Sequence, residues 1–189
     1  MGTDQASSKN LQTATFAAGC FWCTEAIFRR LKGVEEVVSG YTGGKSTEPS
    51  YEQVSTGETG HAEAIQIKFD PKAISYENLL EVFFKLHDPT TPNRQGADVG
   101  SQYHSAVFYH NEEQKRTAKK MLEKMNKEPY EGKIVTQINQ FESFYPAEGY
   151  HQEYYEKNPD AAYCKVVIDP KITKLYKEFG SEVKEEYKT

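Results

Sequence analysis

Between Ala62 and Asp70 the side chains alternate with a period of two. Glu63, Ile65, Ile67 and Phe69 fall on one face, and Gln66, Lys68 and Asp70 on the other. This is the pattern of a β-strand with one face turned to a core. The same alternation puts a carboxylate, Glu63, on the apolar face, where burial raises its pKa and keeps a proton on it near neutrality. Two readings follow: Glu63 pairs with a core cation, for which Arg94 is the candidate, or it is held as a proton donor to an oxygen that gains charge.

The neighbouring elements limit how that strand can be housed. A strand at 13–18 leads through Gly19 into a helix at 20–32, with Gly33 as its C-cap, and a second strand follows at 35–41. A polar loop at 45–60 carries Tyr51. After the strand at 62–70, Pro71 breaks the chain, and Leu79, Leu80, Phe83, Phe84 and Leu86 give 75–87 a helical period. A second loop, 87–102, is punctuated by Pro89, Pro92, Gly96 and Gly100; loops of this length inside a domain usually have a function. A strand at 103–109 completes the order β-α-β-β-α-β, the split-βαβ arrangement. The expected fold is therefore α+β, a ferredoxin-like α/β plait with a mainly antiparallel sheet. A helix at 112–127 with a capping-box-like start at Asn111 and Gln114 follows. A strand at 134–138, a helix at 147–157 and a charged helix beyond Pro170 complete the additions around the core.

With 189 residues the chain suits one well-packed domain, expected as a single catalytic domain over 11–189 behind a disordered polar tail at 1–10. A net charge of −5 offers nothing to recruit nucleic acid or an anionic membrane surface, and no apolar run approaches the length of a membrane span. A cytoplasmic monomer is the expectation, although removal of an export signal would leave the same opening residues.

The three cysteines are an odd count, poor material for a disulfide framework and better for reactive thiols. Cys20 stands where the first strand turns into the first helix, at the positive end of the helix dipole, which favours thiolate. Cys23 makes a C-x-x-C with it. Structural zinc lacks a second ligand pair at metal spacing, so no metal site is expected. The pair itself supports a thioredoxin-like redox motif, a nucleophile with a nearby resolving thiol, or two small core residues. Phe21 and Trp22, beside Cys20, suit an apolar pocket for a methyl group or a sulfur atom. Tyr51, Asp98 and Tyr103 lie in or beside the two long loops and could form a hydrogen-bonding shelf for a polar oxygen.

Four stretches, Gly19-Cys20-Phe21-Trp22, Gly60-His61-Ala62-Glu63, Asp98-Val99-Gly100-Ser101-Gln102-Tyr103 and Tyr145-Pro146-Ala147-Glu148, together resemble the A-type peptide methionine sulfoxide reductases. The similarity spans about residues 14–180. It implies Cys20 as nucleophile, Phe21 and Trp22 as the methyl-binding pocket, and Glu63 as proton donor. Tyr51, Asp98 and Tyr103 would surround the sulfoxide oxygen. It also implies the S epimer of methionine sulfoxide as substrate, in proteins or free, and no bound cofactor. Cys20 becomes a sulfenic acid, a second thiol closes a disulfide, and an external dithiol, thioredoxin, reduces it. Where many members have Gly, this chain has Cys23; where many carry recycling cysteines in a tail, only Cys164 remains. Cys164 is the expected resolving thiol, with Cys23 the alternative. The competing functions are a general thiol–disulfide oxidoreductase using Cys20-x-x-Cys23 and a non-catalytic domain that binds methionine-like side chains.

Overall fold

The computed structural model describes residues 10–188, so the tail expected at 1–10 lies almost entirely outside the described residues. In chain order the elements are β1 (Gln12–Ala18), α1 (Phe21–Arg29), β2 (Val34–Thr42), α2 (Tyr51–Ser55), β3 (Ala62–Phe69), α3 (Tyr76–Leu86), β4 (Arg94–Gln95), β5 (Asp98–Val99), β6 (Ser105–Tyr109), α4 (Glu112–Lys127), β7 (Gln137–Gln140), β8 (Phe144–Pro146), α5 (Tyr154–Lys157) and α6 (Asp169–Phe179). Among the described residues, the main sheet has the order β7-β6-β1-β3-β2-β8. Every pairing in it is antiparallel except β6 with β7. The four central strands with α1 and α3 form the expected plait.

The two faces of the sheet differ in side-chain size. Ala14, Phe16, Ile65, Ile67 and Phe69 are buried under α1, α3 and α6 with Phe28, Leu79, Phe83 and Leu175. The opposite face carries Ala17, Ala62, Ala64, Ala106 and Phe108, covered by Phe141 and Phe144. Burial of the aromatic face, at about 25 cal/mol per Å² of apolar surface, is the main force fixing register.

Several boundaries depart from the sequence expectation, each because backbone groups find other partners. Helix α1 stops at Arg29, not near residue 32, since Leu31 bridges to Val183 and the N–H of Lys32 bonds the Glu182 carbonyl. The strand expected at 134–138 forms at Gln137–Gln140. Upstream of it, the Ile134 N–H is taken by the Asn126 side chain and the Val135 N–H by the Pro89 carbonyl. The helix expected at 147–157 is mostly absent. The Ala147 N–H extends the sheet by bonding the Ser39 carbonyl, residues Gly149–His151 form a 3-10 turn, and Glu153 is left-handed at φ 56°. Only one helical turn, α5, remains. The two long loops hold their own structure. Ser50 and Gln53 make a reciprocal capping box that starts α2 beneath Tyr51, and β4 pairs with β5 as a hairpin that presents Asp98. No helix among the described residues is long and apolar enough to cross a membrane.

Candidate active site

Cys20 is the N-cap of α1. Gly19 precedes it with φ +85°, and a Cβ there would sit 2.5 Å from the Gln95 Cβ, so the β4–β5 hairpin lies directly against the strand-to-helix turn. That close approach helps bring Asp98, from the second long loop, to a sulfur almost 80 residues earlier in the chain. A cavity of about 140 Å³ results, lined by Cys20, Phe21, Trp22, Tyr51, Glu63, Asp98, Tyr103 and Tyr163. Cys20 and all six residues singled out around it therefore share one cavity. A wider groove of about 540 Å³ lies along β2 and the C-terminal turns, but no cysteine lines it.

Glu63 is 2% exposed, and its Oε2 accepts the Phe21 N–H at 3.0 Å. Burial pushes its carboxyl up to about 8 against that one donor, with the charges of Asp98 and Cys23 adding to the rise. Arg94 does not meet it: that guanidinium is exposed and donates to the Gly96 carbonyl at 2.8 Å. Glu63 thus carries its proton at neutral pH.

The thiol of Cys20 departs from expectation. It is pushed up, not down, by burial first and then by the hydrogen bond and charge of Cys23 and the charge of Glu63. The helix terminus fails to lower it because its amides are directed elsewhere. The Phe21 N–H goes to Glu63, and the N–H groups of Cys23 and Thr24 turn back to the Cys20 carbonyl at 3.2 and 3.4 Å. Cys23, one turn on, is pulled down to about 7. Its hydrogen bond with Cys20 contributes most, burial opposes, and Lys171 and Tyr163 lower it further.

Trp22 forms one wall. It stacks on Tyr154 with ring centres 3.6 Å apart, meets Tyr163 edge-on, and donates from Nε1 to His151 Nδ1 at 3.1 Å. Tyr51 packs its ring against His151 at 4.5 Å. Its phenol and that of Tyr103 are raised by burial and then by the charge of Glu63, so both remain protonated donors. Tyr163 donates to Asp98 Oδ2 at 2.7 Å and lies 3.8 Å from Cys23 Sγ.

A family model described as peptide methionine sulfoxide reductase matches residues 12–183. The chain belongs to that family. It is similar to a peptide methionine sulfoxide reductase MsrA of Sulfolobus acidocaldarius, at 56% identity over 169 residues, 89% of this chain and 96% of that one. Among solved structures it is similar to Mxr1 from Saccharomyces cerevisiae in reduced form, with TM-score 0.76 and 36% identity over 82% of this chain and 89% of that one. It is also similar to Mxr1 in complex with Trx2, with TM-score 0.55 and 25% identity over 80% and 90% of the two chains.

Within this peptide methionine sulfoxide reductase, Tyr163, His151, Glu148 and Tyr154 are site components that the sequence reading did not single out. Tyr163 directly precedes Cys164, Glu148 closes the stretch beginning at Tyr145, and His151 lies three residues beyond it, so the motifs pointed near them without assigning them. Glu148 receives the Tyr41 hydroxyl and the Tyr51 N–H, both at 2.8 Å, which locks α2 to the turn carrying His151. Cys164 follows Tyr163 but does not line the cavity. It is fully buried in an irregular turn at Cys164–Ile168, and burial, then Asp169, pushes its thiol up.

Proposed function

We propose that this cavity reduces methionine (S)-sulfoxide, in peptides and proteins or free, with Cys20 as the nucleophile and Glu63 as the acid. The observation that carries the reading is a buried carboxyl, raised to about 8, sharing a 140 Å³ cavity with a cysteine and protonated tyrosines. Cys20 Sγ attacks the sulfoxide sulfur while Glu63 gives its proton to the oxygen, which would otherwise carry the negative charge that develops as the new S–S bond forms. Tyr51 and Tyr103 hold that oxygen as charge develops. The Tyr103 phenol has no protein partner among the described residues, so its proton is directed to whatever enters the cavity. Asp98, fixed by the Tyr163 hydroxyl, completes the polar side. Phe21 and Trp22 supply the apolar side for the substrate methyl. The oxygen then passes to Sγ as the transient sulfur–sulfur bond and the substrate S–O bond break, so the thioether departs and Cys20 is left as sulfenic acid. In net terms a thiol and a sulfoxide become a sulfenic acid and a thioether.

A second thiol then closes a disulfide, which a thioredoxin-type dithiol reduces; the similarity to Mxr1 in its complex with Trx2 supports this partner. No prosthetic group takes part in the cycle. Three free cysteines and a thiol-dependent cycle suit a reducing compartment such as the cytoplasm.

A thioredoxin-coupled assay against each sulfoxide epimer tests the reading. Turnover of the S epimer alone is expected; turnover confined to the R epimer, or none, would overturn it. Glu63→Gln separates it from general thiol–disulfide exchange, which needs no acid at that position.

A further inference from the structure

Resting on the sulfoxide-reductase reading, we propose that Ser101 is a positioning residue: its hydroxyl ties the turn that carries Tyr103 to the loop that carries Tyr51, and so sets the distance between the two phenols that hold the sulfoxide oxygen.

The two phenols come from different long loops. Helix α2, Tyr51–Ser55, is five residues long, too short to persist without tertiary partners, and a single buried side chain, Val54, anchors it in the core. Its first turn is well fixed, because Ser50 and Gln53 cap it and Glu148 Oε1 accepts the Tyr51 N–H at 2.8 Å. Its last turn is only partly closed from within. The Gln53 and Val54 carbonyls are met by the N–H groups of Thr56 and Gly57 at 3.3 and 3.0 Å, which leaves the carbonyls of Ser55 and Gly57 to find partners elsewhere. Side chains of the other loop take both. Ser101 Oγ donates to the Gly57 carbonyl at 2.6 Å, and Gln102 Nε2 to the Ser55 carbonyl at 3.4 Å. Among the described residues no other hydrogen bond joins the two loops.

The Ser101 contact is the firmer of the two. Gln102 is 6% exposed, yet its Nε2 bond is long and its Oε1 has no donor. At Ser101 the two chains approach closely: Gly57 has φ +77°, and a Cβ there would lie 3.0 Å from Ser101 Oγ. Ser101 is also rigidly joined to Tyr103. Residues Ser101–Tyr103 form one 3-10 turn, in which the Tyr103 N–H bonds the Gly100 carbonyl at 3.0 Å. The Ser101 carbonyl accepts the His104 N–H at 3.2 Å and the His104 Nδ1–H at 2.6 Å. Tyr103 therefore moves with Ser101 as one piece.

Alignment matters because the cavity holds about 140 Å³ and both phenols must reach one oxygen. Donors stabilise a developing charge when they stand about 2.7–3.1 Å from it, and a misplacement near 1 Å costs up to about a hundredfold in rate. Without the Ser101 hydroxyl the Gly57 carbonyl turns to water, and the loops are free to part by such a distance.

The test is single-turnover methionine release by the reduced chain, without reductant, over a range of methionine (S)-sulfoxide concentrations. It yields a maximal rate and a half-saturating concentration. Ser101→Ala should lower the maximal rate about ten- to hundredfold and move the half-saturating concentration by less than about twofold, since the donors act on charge that develops in the transition state. Ser101→Thr keeps a hydroxyl and should return most of the lost rate. In a Tyr51→Phe background no second phenol is left to align, so Ser101→Ala should there cost less than about threefold. The alkaline limb near pH 8 belongs to Glu63 and should stay in place in Ser101→Ala. Equal losses in the two backgrounds would reduce Ser101 to a general support of the loops and overturn the proposal. So would a Ser101→Ala rate equal to wild type, a loss that Ser101→Thr does not restore, or a moved alkaline limb, which would trace the loss to the acid. Wild type that releases no methionine would sink the sulfoxide-reductase reading instead.

Discussion

Glu25 and Glu63 are both 2% exposed, and their surroundings give them opposite uses. Glu25, on α1, accepts the Ser39 hydroxyl at 3.1 Å and the Glu153 N–H at 2.9 and 3.1 Å, with the Arg29 guanidinium 3.5 Å away. Burial raises it, but these donors and the Arg29 charge act against the rise. Glu63 has one backbone donor and looks toward the carboxylate of Asp98, and it reaches about 8. Burial alone therefore does not make an acid catalyst. What separates the two is how many donors the protein supplies to the ionised form: Glu25 is tied into the scaffold as a hydrogen-bond acceptor, and Glu63 is left with a proton to give.

The comparison is broken most directly by removing each proton in turn. Glu63→Gln should lower kcat in the coupled assay about 10²–10⁴-fold, the usual worth of a positioned general acid. Glu25→Gln should change it less than about tenfold. Equal losses would mean that both carboxyls act through the fold. In wild type the single-turnover rate should fall as pH passes about 8 and Glu63 ionises, and that alkaline limb should be missing from Glu63→Gln.

The next effect is on stability, and its sign is unusual for an active-site substitution. The folded-state pKa of Glu63 is raised from 4.5 to about 8, so its protonated form is favoured by folding. That contribution is fully present below about pH 4.5 and is lost as pH rises toward 8 and above. Glu63→Gln should match wild type in acid and become more stable than it at pH 9, by roughly 3–5 kcal/mol at about 1.4 kcal/mol per unit. Urea melts at pH 5 and pH 9 measure this. A variant no more stable at pH 9 than wild type would show that Glu63 ionises without penalty. Glu25→Ala should go the other way, losing about 3 kcal/mol because the Ser39 hydroxyl, the Glu153 N–H and Arg29 all lose a buried acceptor.

The contrast between the two glutamates was only half legible in the sequence. Glu63 announces itself because a period of two leaves no polar reason for a carboxylate beside Ile65 and Ile67. Glu25 sits at an ordinary helical position; its donors come from Ser39 on β2 and from Glu153, whose left-handed backbone breaks a stretch that reads as helical. The same holds for the site as a whole. Residues tied to local pattern, such as Cys20 at the strand-to-helix turn and the two long loops, could be found. Those joined across about 130 residues, such as Trp22 with His151 and Tyr154, could not. The direction of the Cys20 shift was misjudged for a related reason. The helix dipole is a local argument, and it lost to long-range contacts that occupy the terminal amides and bury the sulfur.

The smallest effect is at the apolar wall. His151 is 1% exposed; its Nδ1 accepts the indole N–H of Trp22, so its proton is on Nε2, which lies 3.7 Å from Glu148 Oε2 without a hydrogen-bond partner. Burial lowers its pKa and keeps the ring neutral, which it must be to accept from Trp22. His151 thus orients the indole without entering the cavity, in the way Glu25 orients backbone and Glu63 does not. His151→Ala leaves a half-buried N–H without its partner, worth about 0.5–1.5 kcal/mol. If the indole serves to bind the substrate methyl, KM should rise about two- to tenfold with kcat nearly constant, and Trp22 fluorescence should shift as its neighbour is lost. A fall in kcat with KM unchanged would move Trp22 from substrate binding to the reacting centre, and the line drawn between the acid of Glu63 and its apolar wall would have to be redrawn.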